Sequence, residues 1–328
     1  MNFLKIIRGA VFACLAIAST TANSADQVTI KIGYPAGGGF DNFGRLLSRH
    51  IGKHLEGNPS IVVQNVPGGG SLKLALSMQS AEPGDGSVIG MVGSTLAAGP
   101  MLDPEMKDLD PTKFKWLGSM SNQSNMCMTD KISNIATLED FKNKEFVIGS
   151  SGKASTTYIF AALVKNLLHA KYKIVTGFEG ASDIEAAMQR GEIAGRCGTT
   201  YDTLVSLGTI DNFDLHIRVG PAKSAATKAI PGLEDFVTND LDKAALDFLV
   251  APLRFHQAFI LPSSTPDDIV AKYRTAFAET VKDPEFLADV KNINLVVDPQ
   301  TGDQIDVIVS EIFKADPAAV ARARELIQ

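Results

Sequence analysis

Apolar residues alternate with polar ones at Val28, Ile30 and Ile32, the two-residue period of a half-buried strand. The pattern breaks at Tyr34-Pro35-Ala36-Gly37-Gly38-Gly39-Phe40-Asp41, after which Phe43, Leu46, Leu47, Ile51 and Leu55 follow at helical spacing. This unit of strand, glycine turn and helix is echoed at once. A β-branched run over 60–64 reads as a strand, Asn65-Val66-Pro67-Gly68-Gly69-Gly70-Ser71 as a turn, and Leu72, Leu74, Ala75 and Met78 as a helix face. A third strand over 88–93 ends at Ser94-Thr95, and the weakly periodic stretch 100–125 reads as a connection.

A second series begins with a strand at 146–149 and a polar turn over 150–157 that leads into a helix carrying Ile159, Phe160, Leu163, Val164 and Leu167. Then follow a strand at 173–176, a loop at 177–181, a helix at 183–190 stopped by Gly191, and strands at 193–199 and 215–219. The last part predicts helices at 266–281, 284–290 and 304–313 with a strand at 295–297, the first two opening on proline. Alternating strands and helices predict mostly parallel sheets flanked by helices, with ligands off the carboxyl ends of the strands.

That rule turns the glycine turns into candidate chemistry. The first N–H groups of a helix have no partner inside it, and Gly37, Gly38 and Gly39 would let an anion approach them without a Cβ in the way. A bare tight turn is the other reading. Asp41 reads as the N-cap of its helix, with Phe40 beside it. Ser94 and Thr95 fall on the same rim as strand-end residues. Ser155, Thr156 and Thr157 precede the helix of the second series and either cap it or donate to a ligand. Asp202 is a turn residue or a polar group of the cleft. One helix end contributes about 0.3–1 kcal/mol to holding an anion, whereas micromolar affinity needs about 8 kcal/mol. Several loops must therefore share the ligand.

The chain has 328 residues, 45% of them hydrophobic and 21% charged, an ordinary globular balance long enough for two domains. Lys5 and Arg8 precede an apolar run over 10–18 and then small residues, the pattern of a secretory signal peptide over 1–25, cleaved between about 22 and 25. A retained anchor is the rival, but the run is about half of the ~20 residues a bilayer needs. Cys14 raises lipoprotein attachment as another option. Cleavage, which removes Lys5, Arg8 and no acid, takes the formal charge from −6 to −8. An acidic surface argues against a nucleic-acid partner. Cys127 and Cys197 remain, to pair in an oxidising compartment or to stay as buried thiols.

Enzyme signatures are missing from the pattern. Around Gly152-Lys153 a phosphate loop would need glycine at Val147 and a hydroxyl at Ala154; the dinucleotide fingerprint fails at Asn42. His50 and His54 are spaced by four, but Ile51 stands where a metalloprotease needs glutamate, so they read as surface or interface histidines. No cofactor or metal is expected. The alternative kept open is an α/β enzyme that binds a phosphate-containing substrate or nucleotide at the Gly37–Gly39 loop.

Taken in order, the Tyr34 to Asp41 loop, the Asn65 to Gly70 segment, the turn at 83–86, the turn at 152–155, the loop at 177–181, Gly191 and the stretch 262–284 with its Asp-Pro-Glu-Phe resemble the periplasmic receptors of tripartite tricarboxylate transporters, the Bug family, over essentially the whole mature chain. The resemblance implies an α/β two-domain Venus flytrap of the type II periplasmic binding protein class, each domain a mostly parallel sheet flanked by helices. It implies domain 1 over 26–122 plus 253–328, domain 2 over 123–252 and two crossing segments as hinge. It also implies a monomeric periplasmic receptor that takes a small carboxylate (a di- or tricarboxylate, amino acid or aromatic acid) and passes it to a membrane permease. Phe178 joins the candidate contacts by this comparison. The chain departs from the family at Gly177-Phe178-Glu179, where Pro-Tyr and Lys are frequent, and Glu179 near the expected cleft would favour a ligand with an amine. Arg196 reads as an exposed strand-end residue, the alternative being a counter-charge to that acid in the cleft.

Overall fold

The computed structural model describes residues 27–328, so the expectations for the leader and Cys14 lie outside the described residues. Eleven strands form two sheets among these residues. The first holds β1 (Gln27–Ile32), β2 (Ser60–Asn65), β3 (Val88–Val92), β4 (Lys115–Ser121), β10 (His256–Leu261) and β11 (Gln300–Thr301), in the order β11-β4-β10-β3-β1-β2. The second holds β5 (Asn125–Asp130), β6 (Val147–Ser150), β7 (Lys173–Thr176), β8 (Gly195–Thr199) and β9 (Phe213–Val219), in the order β7-β6-β8-β5-β9.

Both sheets are mixed. In the first, β1 runs parallel to β2 and β3, while β10 is antiparallel to β3 and β4. In the second, β6 runs parallel to β7 and β8, and β5 is antiparallel to β8 and β9. The strand that receives the chain at each crossing, β5 in the second sheet and β10 in the first, runs against the majority of its sheet. β4 hands over to β5 within three residues, and β10 brings it back. The stretch read as a connection thus contains a buried strand, β4, whose glycine and serines hid its period; Gly118 is flat so that Phe277 can lie on it. The strand expected at 295–297 does not form. Leu295 is buried from a loop, and the chain meets β4 only at Gln300–Thr301.

Helices cover the faces: α1 (Gly39–His50), α2 (Leu72–Ser80), α3 (Gly99–Leu102), α4 (Leu138–Asn143), α5 (Thr156–Leu168), α6 (Ala181–Gln189), α7 (Tyr201–Ser206), α8 (Ala225–Lys228), α9 (Asp240–Val250), α10 (Asp267–Thr280), α11 (Pro284–Asn292), α12 (Gly302–Phe313) and α13 (Pro317–Leu326). Pro284 sits in the first turn of α11, whereas Pro266 is the residue before α10. α1 buries Phe43, Leu46 and Leu47 in the first lobe, with Ile51 just beyond its end, as its period predicts, and the second lobe buries Ile159, Phe160, Leu163 and Val164 of α5. His50 and His54 bind Asp289 within α11 and Asp283 at its N-cap, an interface role.

Cys127 and Cys197 face each other in register on β5 and β8, fully buried, and form a disulfide. α13 straddles the lobes. Its Arg324 donates to the carbonyl of Met101 in α3, while Asn166 of α5 donates to the carbonyl of Leu326. Around it one apolar cluster runs without a break from Leu74 and Ala97 in the first lobe to Leu163 and Leu168 in the second.

Candidate functional site

The first glycine turn is built by its own acid. Gly37 takes φ +86, a left-handed conformation glycine adopts without steric cost. Gly38 is the N-cap of α1 and no side chain caps the helix. Asp41 is therefore not the N-cap. It stands three residues in and reaches back, accepting from the Gly37 N–H at 3.0 Å, Arg45 Nε at 2.9 Å and Asn65 Nδ2 at 2.9 Å. Burial pushes its acidity weaker, yet these donors outweigh burial and hold the carboxyl below the usual aspartate range. The charge that would repel an anion is spent on the turn.

Two further helix ends meet this one from the other lobe. α6 begins at Gly180, also without a side-chain cap. A Cβ on Gly38 would lie 3.7 Å from the Ala181 Cβ, and Ser182 Oγ donates to the Ala36 carbonyl at 3.3 Å. α5 begins at Ser155, whose hydroxyl caps Tyr158 N–H and contacts Thr157 Oγ1 at 2.6 Å. Thr157 Oγ1 in turn accepts from Ser151 N–H at 3.0 Å. These hydroxyls hold one another, so what the α5 end offers a ligand is its first backbone N–H groups.

The three ends border one partly open cavity of about 50 Å³, room for a few waters or a compact guest. Gly37, Gly38, Gly39, Phe40, Ser155, Thr156 and Thr157 of the expected set line it, joined by Tyr34, Ser151, Ala181, Ser182, Glu185, Arg196, Gly198, Thr199, Thr200, Thr203, Leu207, His256 and Gln257. Phe40 stacks on Tyr34 with centroids 4.0 Å apart and meets His256 edge-on at 5.2 Å. Burial pushes His256 down to about 4, so its imidazole is neutral at pH 7. Gln257 holds a left-handed φ of 52 within β10, and its amide oxygen accepts from Ser121 Oγ at the crossover.

Arg196 is not exposed. Its side chain is 2% accessible and pairs with Glu185 at 2.6 Å. Burial lowers its pKa while Glu185 opposes that shift. Neither residue type nor spacing announced this pair, because Glu185 sits on a helix and Arg196 on a strand of a different segment.

Five expected residues do not reach the cavity. Asp41 serves the turn. Ser94 is fully buried against His256 Nδ1 at 3.4 Å, and Thr95 Oγ1 donates to the Ala154 carbonyl at 2.8 Å, across the lobes. Phe178 packs against the second-lobe core beside Gly149, and its neighbour Glu179 is solvent-exposed. Asp202 turns to Gln123 at the crossover, where burial raises its pKa. A larger open groove of about 990 Å³ between α10 and α12 lies away from the glycine turns; of the cations that line it, Arg274 is held by Asp303 and Asp306 and Lys115 by Asp267. No group of three or more potential metal ligands occurs among the described residues.

No protein-family model and no curated protein matches the chain. Solved structures do. MatC from Rhodopseudomonas palustris with bound malate superposes with a TM-score of 0.69 at 17% identity, over 92% of this chain and 99% of that one. The periplasmic binding protein BugD gives 0.68 at 14%, over 92% and 96%, and an R. palustris protein with adipate gives 0.68 at 17%, over 92% and 95%. The chain has the fold of these periplasmic solute-binding proteins, a two-domain α/β architecture of the type II class.

Proposed function

We propose that this protein is an extracytoplasmic solute receptor of the Bug type, which binds a small carboxylate between its lobes and presents it to a membrane permease without performing chemistry on it. The observation that carries the reading is the meeting of two uncapped helix N-termini, α1 and α6, one from each lobe. Each such end carries about half a positive charge, offset in part by Asp41 and Asp183 in the first turns, and the free N–H groups of both ends favour an anion between them. Solute-binding proteins of the same fold with malate and adipate support the ligand class.

On this reading the lobes correspond to 26–122 plus 253–328 and to 123–252, supported by the strands of the first sheet falling within 27–121 and 256–301 and those of the second within 125–219. The ligand contacts are Gly37, Gly38, Gly39 and Phe40 from one lobe and Ser155, Thr156, Thr157 and Ala181 from the other. The receptor works in the periplasm as a monomer. No helix among the described residues is long and apolar enough to cross a membrane.

A thermal-shift screen against citrate, malate, aspartate, glutamate, terephthalate and nucleotides tests it. Stabilisation by a carboxylate is expected, about 2.7 kcal/mol at a hundredfold excess over Kd. Stabilisation by nucleotides alone rejects the receptor reading.

A further inference from the structure

Of the described side chains around the cavity only Glu185 and Arg196 carry charge, and they cancel. The arginine is committed: Nη1 binds Glu185 Oε1 at 2.6 Å, Nη2 donates to the Gly198 carbonyl at 3.0 Å and Nε to the Cys197 carbonyl at 3.4 Å. The glutamate is not. Only Oε1 takes the guanidinium; among the described residues Oε2 has no hydrogen-bond donor, on a side chain that is 14% accessible. Positive potential therefore comes from the helix ends, and a negative acceptor stands about one turn further along α6 on the cavity wall.

Such a wall fits a ligand with one carboxylate and one cationic donor. A second or third carboxylate would face Glu185 with no free cation to offset it, inside a space of about 50 Å³ walled by protein, where the repulsion is stronger than in bulk water. We propose that Glu185 sets the specificity of this cavity, selecting a small α-amino acid whose carboxylate lies on the ends of α1 and α6 and whose ammonium donates to Glu185 Oε2, over di- and tricarboxylates. This deepens the receptor reading and rests on it.

The neutral His256 adds no competing charge. Glu179, the acid that the sequence had placed near the cleft, plays no part, being exposed outside it.

Isothermal titration of the mature full chain with alanine, serine, lactate, malate and citrate tests the proposal. Alanine and lactate differ only in the amine, and a charge-assisted bond to Glu185 should favour alanine or serine by about tenfold or more over lactate and malate. In Glu185→Gln the alanine-to-lactate ratio should fall by about tenfold, with Glu185→Asp restoring part of it. Malate or citrate binding as tightly as alanine in the wild type overturns the proposal. So does an alanine-to-lactate ratio that Glu185→Gln leaves within about threefold. Should Glu185→Gln fail to fold because Arg196 loses its partner, the wild-type ranking of the five acids decides alone. Binding of none of the acids fails the receptor reading itself, a separate result.

Discussion

Gly70 and Ser155 belong to different lobes, yet a Cβ on Gly70 would stand 2.8 Å from the Ser155 backbone nitrogen and 2.7 Å from its Cβ. The second glycine turn is therefore a seam, where the backbone of one lobe lies directly on the cap of α5 in the other. Gly152 completes it, with its own added Cβ 3.4 Å from Gly69.

Gly70→Ala should hold the lobes apart. The residue has φ +67, which costs an alanine about 1–2 kcal/mol, and the methyl meets backbone that is itself bonded to the Gly152 carbonyl. We expect ligand affinity to fall by about tenfold or more, with the circular dichroism spectrum intact. Unchanged affinity by calorimetry would show that this contact does not form in the bound state.

Gly38→Val tests the ligand end of α1. At φ −97 and ψ 177 a valine is unstrained, so stability should hold, while its methyl groups fill the gap toward Ala181. Loss of ligand-induced stabilisation with an unchanged ligand-free Tm is the expected pair of results. Retained binding would remove the turn from the site.

The disulfide closes a loop with a sequence separation of 70. Replacing Cys127 and Cys197 together by alanine should cost about 4 kcal/mol by the chain-entropy relation. Both sulfurs are buried, so reductant should act on the wild type only slowly, through unfolding. Denaturant midpoints of the oxidised wild type and the double variant give the difference, and coincident midpoints would refute it.

Acid should weaken the fold before its aspartates are reached. Burial pushes His216 and His256 down to about 4, below the ordinary value of 6.5, so the unfolded chain takes up their protons first. Stability is then complete above pH 6.5 and declines toward about 4, each histidine contributing up to roughly 2–3 kcal/mol. Asp202, raised by burial, offsets a little of this at the acid end. A His216→Gln variant should show a smaller fall in Tm between about pH 7 and pH 4.5 than the wild type. An equal fall would place the acid sensitivity elsewhere.

What was legible in the sequence followed from local physics. Glycines before apolar helical repeats located the ends of α1 and α5, because turn geometry and helix start are written in adjacent residues. The residues that finish the cavity were not legible. Glu185 and Arg196 meet only because α6 folds back along β8, and Gln257 and His256 arrive with the returning strand β10. β4 escaped notice for a related reason: a strand buried on both faces has no alternation to reveal it, and Gly118 and its serines conceal even the apolar run. Asp41 was placed at the right turn in the wrong position, since reaching back from the third residue and capping from the first look alike in sequence.

The resemblance implied two strands of chain between the lobes; α13 makes a third attachment. Bonded to Met101 on one side and to Asn166 on the other, it works like the spine of a book. Pages can part along the fore-edge, where the glycine turns lie, while the spine stays bound. On the receptor reading, release of a guest then asks only for a swing about that line, and a chain cut short before Pro317 would be expected to yaw as well as swing.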